Sequence, residues 1–166
     1  MPDTYTQVYI HVVFAVSSRE ALIKPNFSSD LQRYITGIVK NKGSRLLAIK
    51  AMPDHVHILL ALDPKTSISD LMREVKASSS VFIKNKFNLS LFSWQSGYGA
   101  FSYSKSQIDS VVKYILNQED HHRQKSFKEE YMKILVDFGV EYDEKYLFHW
   151  ISEEEEDDAS NQGNIV

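Results

Sequence analysis

Apolar residues recur along this chain at two periods, and the order in which those periods alternate predicts a mixed fold. From Tyr5 to Val16 they come at every second position, with Val8, Ile10, Val12 and Phe14 on one face and Tyr9, His11 and Val13 on the other. Both faces are largely apolar, which predicts an interior strand. After a connection from Ser17 to Phe27 carrying Arg19, Lys24 and Pro25, Ser29 is the expected N-cap of a helix. Leu31, Tyr34, Ile35, Ile38 and Val39 keep helical spacing in it up to a stop at Gly43. Arg45 to Met52 is a short apolar run, and Pro53-Asp54 turns it into a second run ending at Asp63-Pro64-Lys65; so short a connection predicts a hairpin. Ser67 with Asp70 is expected to cap a longer helix, whose inner face is Ile68, Leu71, Met72, Val75, Ser79, Phe82 and Ile83. Its outer side carries Arg73, Lys76, Lys84 and Lys86, a solvated face that could also meet phosphates.

Phe92 to Tyr103 is rich in aromatics suited to strands, with Gly97 and Gly99 allowing a bend or a close backbone approach. Ser104 with Gln107 is expected to cap a third helix bearing Ile108, Val111, Val112, Ile115 and Leu116 on its packed side and continuing through Gln118. Ser126 with Glu129 is expected to cap a fourth, through Phe127, Tyr131, Ile134, Leu135 and Phe138, stopped by Gly139; Tyr142 to Trp150 then docks as an extended segment. Strand, helix, strand, strand, helix, strand and helices is the order of an α+β, ferredoxin-like fold, shared with RNA-recognition-motif domains. Its sheet is antiparallel, the second hairpin strand is central, and helices cover one face. The other face is left for the later helix that carries Tyr114.

The central strand holds the most informative pair of residues. His55 and His57 stand at i and i+2 in an apolar run, so their side chains project from the same face. Two imidazoles in a core need partners: ordinary hydrogen bonds satisfy them, and so does a metal ion. On the third helix Tyr114 and Gln118 lie about 40° apart on a flank, because four residues overshoot one turn. Where that flank faces the histidines, His55, His57 and the Gln118 carbonyl oxygen could hold a divalent cation with positions open to a phosphate oxygen and water. Tyr114 would then be the nucleophile. A phenol with a pKa of about 10 is a poor one unaided, and a cation on the scissile phosphate would assist its in-line attack. The product, a phosphotyrosine ester, conserves the bond for later joining.

Composition narrows the rest. A chain of 166 residues that is 43% hydrophobic supports one sizeable core. It reads as one domain over residues 1–152 and an acidic, disordered tail over 153–166. The absence of cysteine excludes disulfides, thiolate zinc sites and cysteine nucleophiles. Neither a signal-peptide pattern nor an apolar run of membrane-spanning length is present, so a soluble, cytoplasmic protein is expected. The net charge of −3 conceals a basic body: setting aside the six acids from Glu153 to Asp158 leaves 16 acidic against 19 basic residues. That balance is compatible with nucleic-acid binding.

Three segments, in order and spacing, resemble the single-tyrosine HUH transposases, the superfamily of small insertion-sequence transposases that includes the REP-associated tyrosine transposases. They are His55-Val56-His57 within Met-Pro-Asp-His-Val-His, Trp94-Gln95-Ser96-Gly97-Tyr98, and Tyr114-Ile115-Leu116-Asn117-Gln118. The similarity runs from about Tyr5 to Phe148. It implies a metal-dependent transposase, an endonuclease and strand transferase on single-stranded DNA with hairpin-type ends, nucleoid-associated when on DNA. It also implies metal ligands at His55, His57 and Gln118, a 5′-phosphotyrosine at Tyr114, and Mg or Mn as the ion, of which Mn suits two imidazoles better. A homodimer in which the tyrosine helix can act in trans is part of the same expectation. His121, His122, Arg73 and Lys76 are further candidates for touching DNA or supporting a ligand.

Other readings compete with this one. Gly97-Tyr98-Gly99 and Tyr103 partly echo an RNA-recognition-motif signature, but Ser96, Ala100 and Phe101 depart from it, and the histidine pair and Tyr114 are left unexplained. A domesticated relative that binds structured single strands without transposing fits the same residues. A metal hydrolase using activated water would not need Tyr114.

Overall fold

The hairpin expected at Pro53-Asp54 forms the middle of the sheet. In the computed structural model, which describes residues 1–18 and 22–151, strands β1 (Tyr9–Ala15), β2 (Arg45–Ala51), β3 (His55–Ala61) and β4 (Gly99–Tyr103) build one four-stranded sheet. Its order is β2-β3-β1-β4, with every neighbouring pair antiparallel. This is the ferredoxin-like arrangement, with the histidine strand β3 between β1 and β2. The acidic stretch 153–158 and Arg19 lie outside the described residues.

Alternation in β1 sorts its side chains into two cores. Ile10, Val12, Phe14 and Val16 pack with α1 (Pro25–Asn41) and α2 (Ile68–Lys86) on one face. Tyr9, Val13 and Ala15 face the other way, where α3 (Ile108–Leu116), the five-residue α4 (Gln118–His122) and α5 (Phe127–Asp137) gather. Full burial of Phe14, Phe27, Leu31 and Ile58 anchors the first core, each contributing about 1.5–3 kcal/mol on the usual transfer scale.

Three local expectations are corrected. Helix α1 starts at Pro25, four residues before the expected cap, because a proline at the first helical position forfeits no hydrogen bond and its first turn brings Phe27 into the core. Ser29 therefore lies inside the helix. Of the aromatic stretch 92–103, only Gly99–Tyr103 joins the sheet as a strand, with Trp94 making an isolated bridge to Val16. The tyrosine helix also does not run through Gln118. It ends at Leu116, and Asn117, at φ −96° and ψ 21°, turns the chain into α4. The caps of α2 and α5 are as expected: Ser67 accepts from the Asp70 amide at 3.1 Å and Ser126 from that of Glu129 at 3.2 Å. Gly43, just past α1, has φ +86°, the left-handed conformation expected of a helix stop.

Candidate metal centre and tyrosine site

Strand alternation sends His55 and His57 into the core beneath α4 and α5, where they are 1% and 0% exposed. Each has a partner on the ring nitrogen that faces away from the centre. His55 Nδ1 lies 2.7 Å from the Asp54 carboxylate, and His57 Nδ1 lies 2.8 Å from His11 Nε2 of the neighbouring strand. His122, half-buried at the end of α4, holds the Lys125 carbonyl with Nδ1 at 3.0 Å. The three Nε2 atoms turn towards one another.

Between them sits a carboxylate from α5. Glu130 is 6% exposed, and its Oε1 lies 2.9 Å from His57 Nε2, 3.3 Å from His122 Nε2 and 3.7 Å from His55 Nε2. Its Oε2 accepts hydrogen bonds from the Tyr114 hydroxyl and, at 2.9 Å, from the Gln118 amide. Gln118 is fully buried, with Oε1 2.8 Å from His122 Nε2 and 3.4 Å from His55 Nε2. The ligating atoms of His55, His57, His122 and Glu130 all lie within 4.8 Å of one another. Such a donor set fits a divalent metal ion.

These groups perturb one another strongly. Burial opposes ionisation of Glu130, yet hydrogen bonds from His122 and His57 and the charges of His57 and His55 hold its carboxyl well below the usual range. Burial lowers His57 against the pull of Glu130; for His122 the bond to Glu130 and its charge outweigh burial and raise it. Burial next to His57 takes His11 down to about 3, so it is a neutral ring. Burial and the Glu130 charge push the Tyr114 phenol above its ordinary range. Without a cation nearby, this environment suppresses the phenolate.

The structure thus brings His55, His57, Gln118, Tyr114 and His122 together, in one chain and across three elements. Tyr114 stands edge-on to His57 with ring centroids 6.0 Å apart. His121 is exposed, its ring 4.9 Å from that of Tyr114. Arg73 and Lys76 are elsewhere, on α2 across the sheet: Arg73 pairs with Asp70, while the half-buried Lys76 ammonium donates to the carbonyls of Gln95, at 2.9 Å, and Gly97. The Trp94-Gln95 segment pins loops together. Gln95 Nε2 donates to the carbonyls of Val16 and His149 at 2.9 and 2.8 Å, and Trp94 donates to Ser79 at 3.0 Å.

Motif and spacing alone do not single out Glu130, although a signal for it exists in the sequence. It lies three residues after Phe127 and four before Ile134, a carboxylate on the buried stripe of an amphipathic helix. His11 faced inwards from an interior strand and carried the same hint. Solvent reaches the site through a cleft of about 640 Å³ between α3 and α5, lined by Tyr103, Tyr114, His121, His122, Glu130 and Lys133 among others.

Residues 4–118 match the family model described as "Transposase IS200 like". The ISDra2 transposase TnpA of Deinococcus radiodurans is 27% identical over 124 residues, covering 69% of this chain and 86% of that protein. The transposase for insertion sequence element IS200 of Salmonella typhimurium is 27% identical over 121 residues, covering 66% and 77%. Among solved structures, that of a REP-associated tyrosine transposase bound to a REP hairpin superposes with a TM-score of 0.55 at 16% identity, covering 74% of this chain and 73% of the other.

Proposed function

From the premise that this chain belongs to the IS200-like transposase family, we propose that it cuts and rejoins single-stranded DNA at hairpin-type ends through a 5′-phosphotyrosine on Tyr114. The observation that carries this reading is the hydrogen bond from the Tyr114 hydroxyl to Glu130, whose other oxygen faces the buried histidines. Nucleophile and metal-binding groups share one carboxylate.

Within that arrangement His55 and His57 would hold the ion, with Gln118 and His122 as neighbours able to join them. A bound divalent ion supplies positive charge to the scissile phosphate and to the charge developing in the transition state. The Tyr114 oxygen attacks phosphorus, the bond to the 3′ oxygen breaks, and the strand leaves as a 3′-hydroxyl. Glu130 Oε2 already holds the phenolic hydrogen and is the acceptor placed to receive it. The reverse attack, by a 3′-hydroxyl on the phosphotyrosine, joins strands without ATP. Hairpin recognition rests on the relative seen with a REP hairpin. The site is assembled within one chain, so cleavage in cis is the proposed arrangement. A homodimer exchanging tyrosine helices is the alternative. No helix among the described residues is long and apolar enough to cross a membrane.

The test is incubation of the protein with Mn and single-stranded oligonucleotides from its gene's flanks, followed by a denaturing gel. A covalent adduct is expected, lost in Tyr114→Phe with DNA binding kept, and His57→Ala should lose metal-dependent cleavage. Cleavage surviving both changes refutes the mechanism, and unchanged behaviour of Tyr114→Phe without any cleavage indicates a domesticated binder. Mixing the two variants restores adduct only if the tyrosine acts in trans.

A further inference from the structure

We propose that Glu130 and His122 are themselves metal ligands, completing with His55 and His57 a three-imidazole, one-carboxylate centre that takes a transition-metal ion in preference to magnesium. Gln118 then orients Glu130 by hydrogen bonding from its amide nitrogen, and its carbonyl oxygen stands beside the ion. The inference deepens the reading of the site given above and rests on it. It concerns residues beyond the segment that matches the family model, which ends at 118.

Hydrogen-bond accounting carries the argument. His55 Nδ1 faces the Asp54 carboxylate and His122 Nδ1 faces the Lys125 carbonyl. Both partners only accept, so both Nδ1 atoms carry hydrogen. In their neutral forms these rings present lone pairs at Nε2. Those lone pairs point at Glu130 Oε1, 3.7 and 3.3 Å away, and at Gln118 Oε1, 3.4 and 2.8 Å away. The Gln118 amide cannot be turned to help, because its nitrogen donates to Glu130 Oε2 at 2.9 Å. With these two rings neutral, acceptors converge with no donor among them. A cation at their common focus satisfies all of them together.

His57 can join as well. Its Nδ1 lies 2.8 Å from His11 Nε2, and an imidazole there can accept, which leaves His57 Nε2 presenting a lone pair at the cost of a His11 Nδ1 hydrogen with no partner. All three ligating histidines thus have their second nitrogen fixed by another group, the arrangement expected around a bound metal.

Donor chemistry then chooses the ion. Four ligands bonded at about 2.0–2.1 Å around one metal stand about 3.3–3.4 Å apart. Glu130 Oε1 lies 2.9, 3.3 and 3.7 Å from the three nitrogens. Magnesium prefers six oxygen donors and keeps its water, whereas imidazole-rich sets suit zinc, manganese, iron and cobalt.

Chelator-treated full-length protein titrated with cobalt, in the absence of DNA, tests the assignment. Expected are one bound ion with the strong visible bands of low coordination number, displacement by zinc, and none by millimolar magnesium. Glu130→Gln and His122→Asn should each weaken cobalt binding by about 100-fold or more and alter the bands. Gln118→Ala should cost about 10–100-fold, as loss of a ligand's hydrogen-bonding partner does. Circular dichroism establishes that each variant is folded, and either ligand variant suffices if the other is not. Wild-type affinity and bands in the folded ligand variants, or displacement by magnesium, overturn the proposal. Since the readout needs no DNA, failure of the adduct experiment with these results intact would reject the DNA chemistry and leave the centre standing.

Discussion

Gly99 is where the sheet and the site constrain each other most directly. It opens β4, is buried, and pairs with Val13, which in turn pairs with His57. A Cβ placed there would lie 2.6 Å from the Tyr131 hydroxyl, 2.8 Å from Phe101 Cε2 and 2.9 Å from Tyr131 Cε2. Ordinary carbon contacts are about 3.5–4.0 Å. Tyr131 has no easy retreat, with the Phe127, Phe148 and Trp150 rings 5.9, 4.9 and 6.2 Å from its own. Gly99→Ala must therefore push α5 outwards. Overpacking of this kind costs about 1–3 kcal/mol, which for a chain of this length lowers the melting temperature by about 2–12 °C. Because Glu130 precedes Tyr131, the same displacement should weaken cobalt binding. Thermal unfolding and the cobalt titration read the two effects. Combining Gly99→Ala with Tyr131→Leu should cost less than the sum of the single changes, since the shorter side chain vacates the space. A Gly99→Ala protein that melts with the wild type and binds cobalt normally would show that α5 is not seated on β4 as described.

Three further outcomes follow from particular contacts. Asp54→Ala removes the carboxylate behind His55 Nδ1 and should reduce cobalt affinity by about 10–100-fold, measured by competition with a chelating dye. Gln95→Ala frees His149, whose amide now donates to Gln95 Oε1 at 2.6 Å. It should expose the segment around Trp150 to limited proteolysis and cost about 1–3 kcal/mol in urea unfolding. Lys76→Ala deletes an ammonium that serves two backbone carbonyls. It should cost about 1–2 kcal/mol in the same assay while leaving the salt dependence of single-stranded DNA binding unchanged, because the residue lies across the sheet from Tyr114.

What the sequence disclosed depended on the range of the forces involved. Alternation in β1 and β3 and the serine caps of α2 and α5 are local patterns, and they placed the strands, the sheet faces and the histidine pair. Pro25 shows where a local pattern misled: Ser29 looked like a cap, but proline is equally at home at a first helical position, and burial of Phe27 decides between them. The break at Asn117 has only a weak local cause, since asparagine favours caps while the rest of Tyr114 to Gln118 suits a continuous helix. It is fixed by tertiary partners, as Gln118 turns inwards to reach Glu130 and His122. Glu130 itself could be suspected from its place on an apolar stripe. Only the packing of α5 against β3 discloses what it faces.

The placement of that carboxylate can be followed residue by residue along α5. Ser126 caps the helix and so fixes where its first turn begins. Phe127, the first helical residue, lies flat on His55, with ring centroids 3.9 Å apart and planes within 4°. That stack sets both the rotation of the helix and its height above β3. One turn later the chain can present only residues near position 130 to the same patch of sheet, and Glu130 meets His57 there. Tyr131, the next residue, reaches sideways to the bare backbone at Gly99 and stops the helix from rolling. A cap, a stacked ring and a glycine thus position one carboxylate, none of them touching the Tyr114 hydroxyl. Their effect on the nucleophile passes through Glu130, while the stack also bears on the ion through His55. Loss of the stack in Phe127→Leu should therefore disturb the metal centre about as much as the change at Gly99, by rotation where Gly99→Ala acts by displacement.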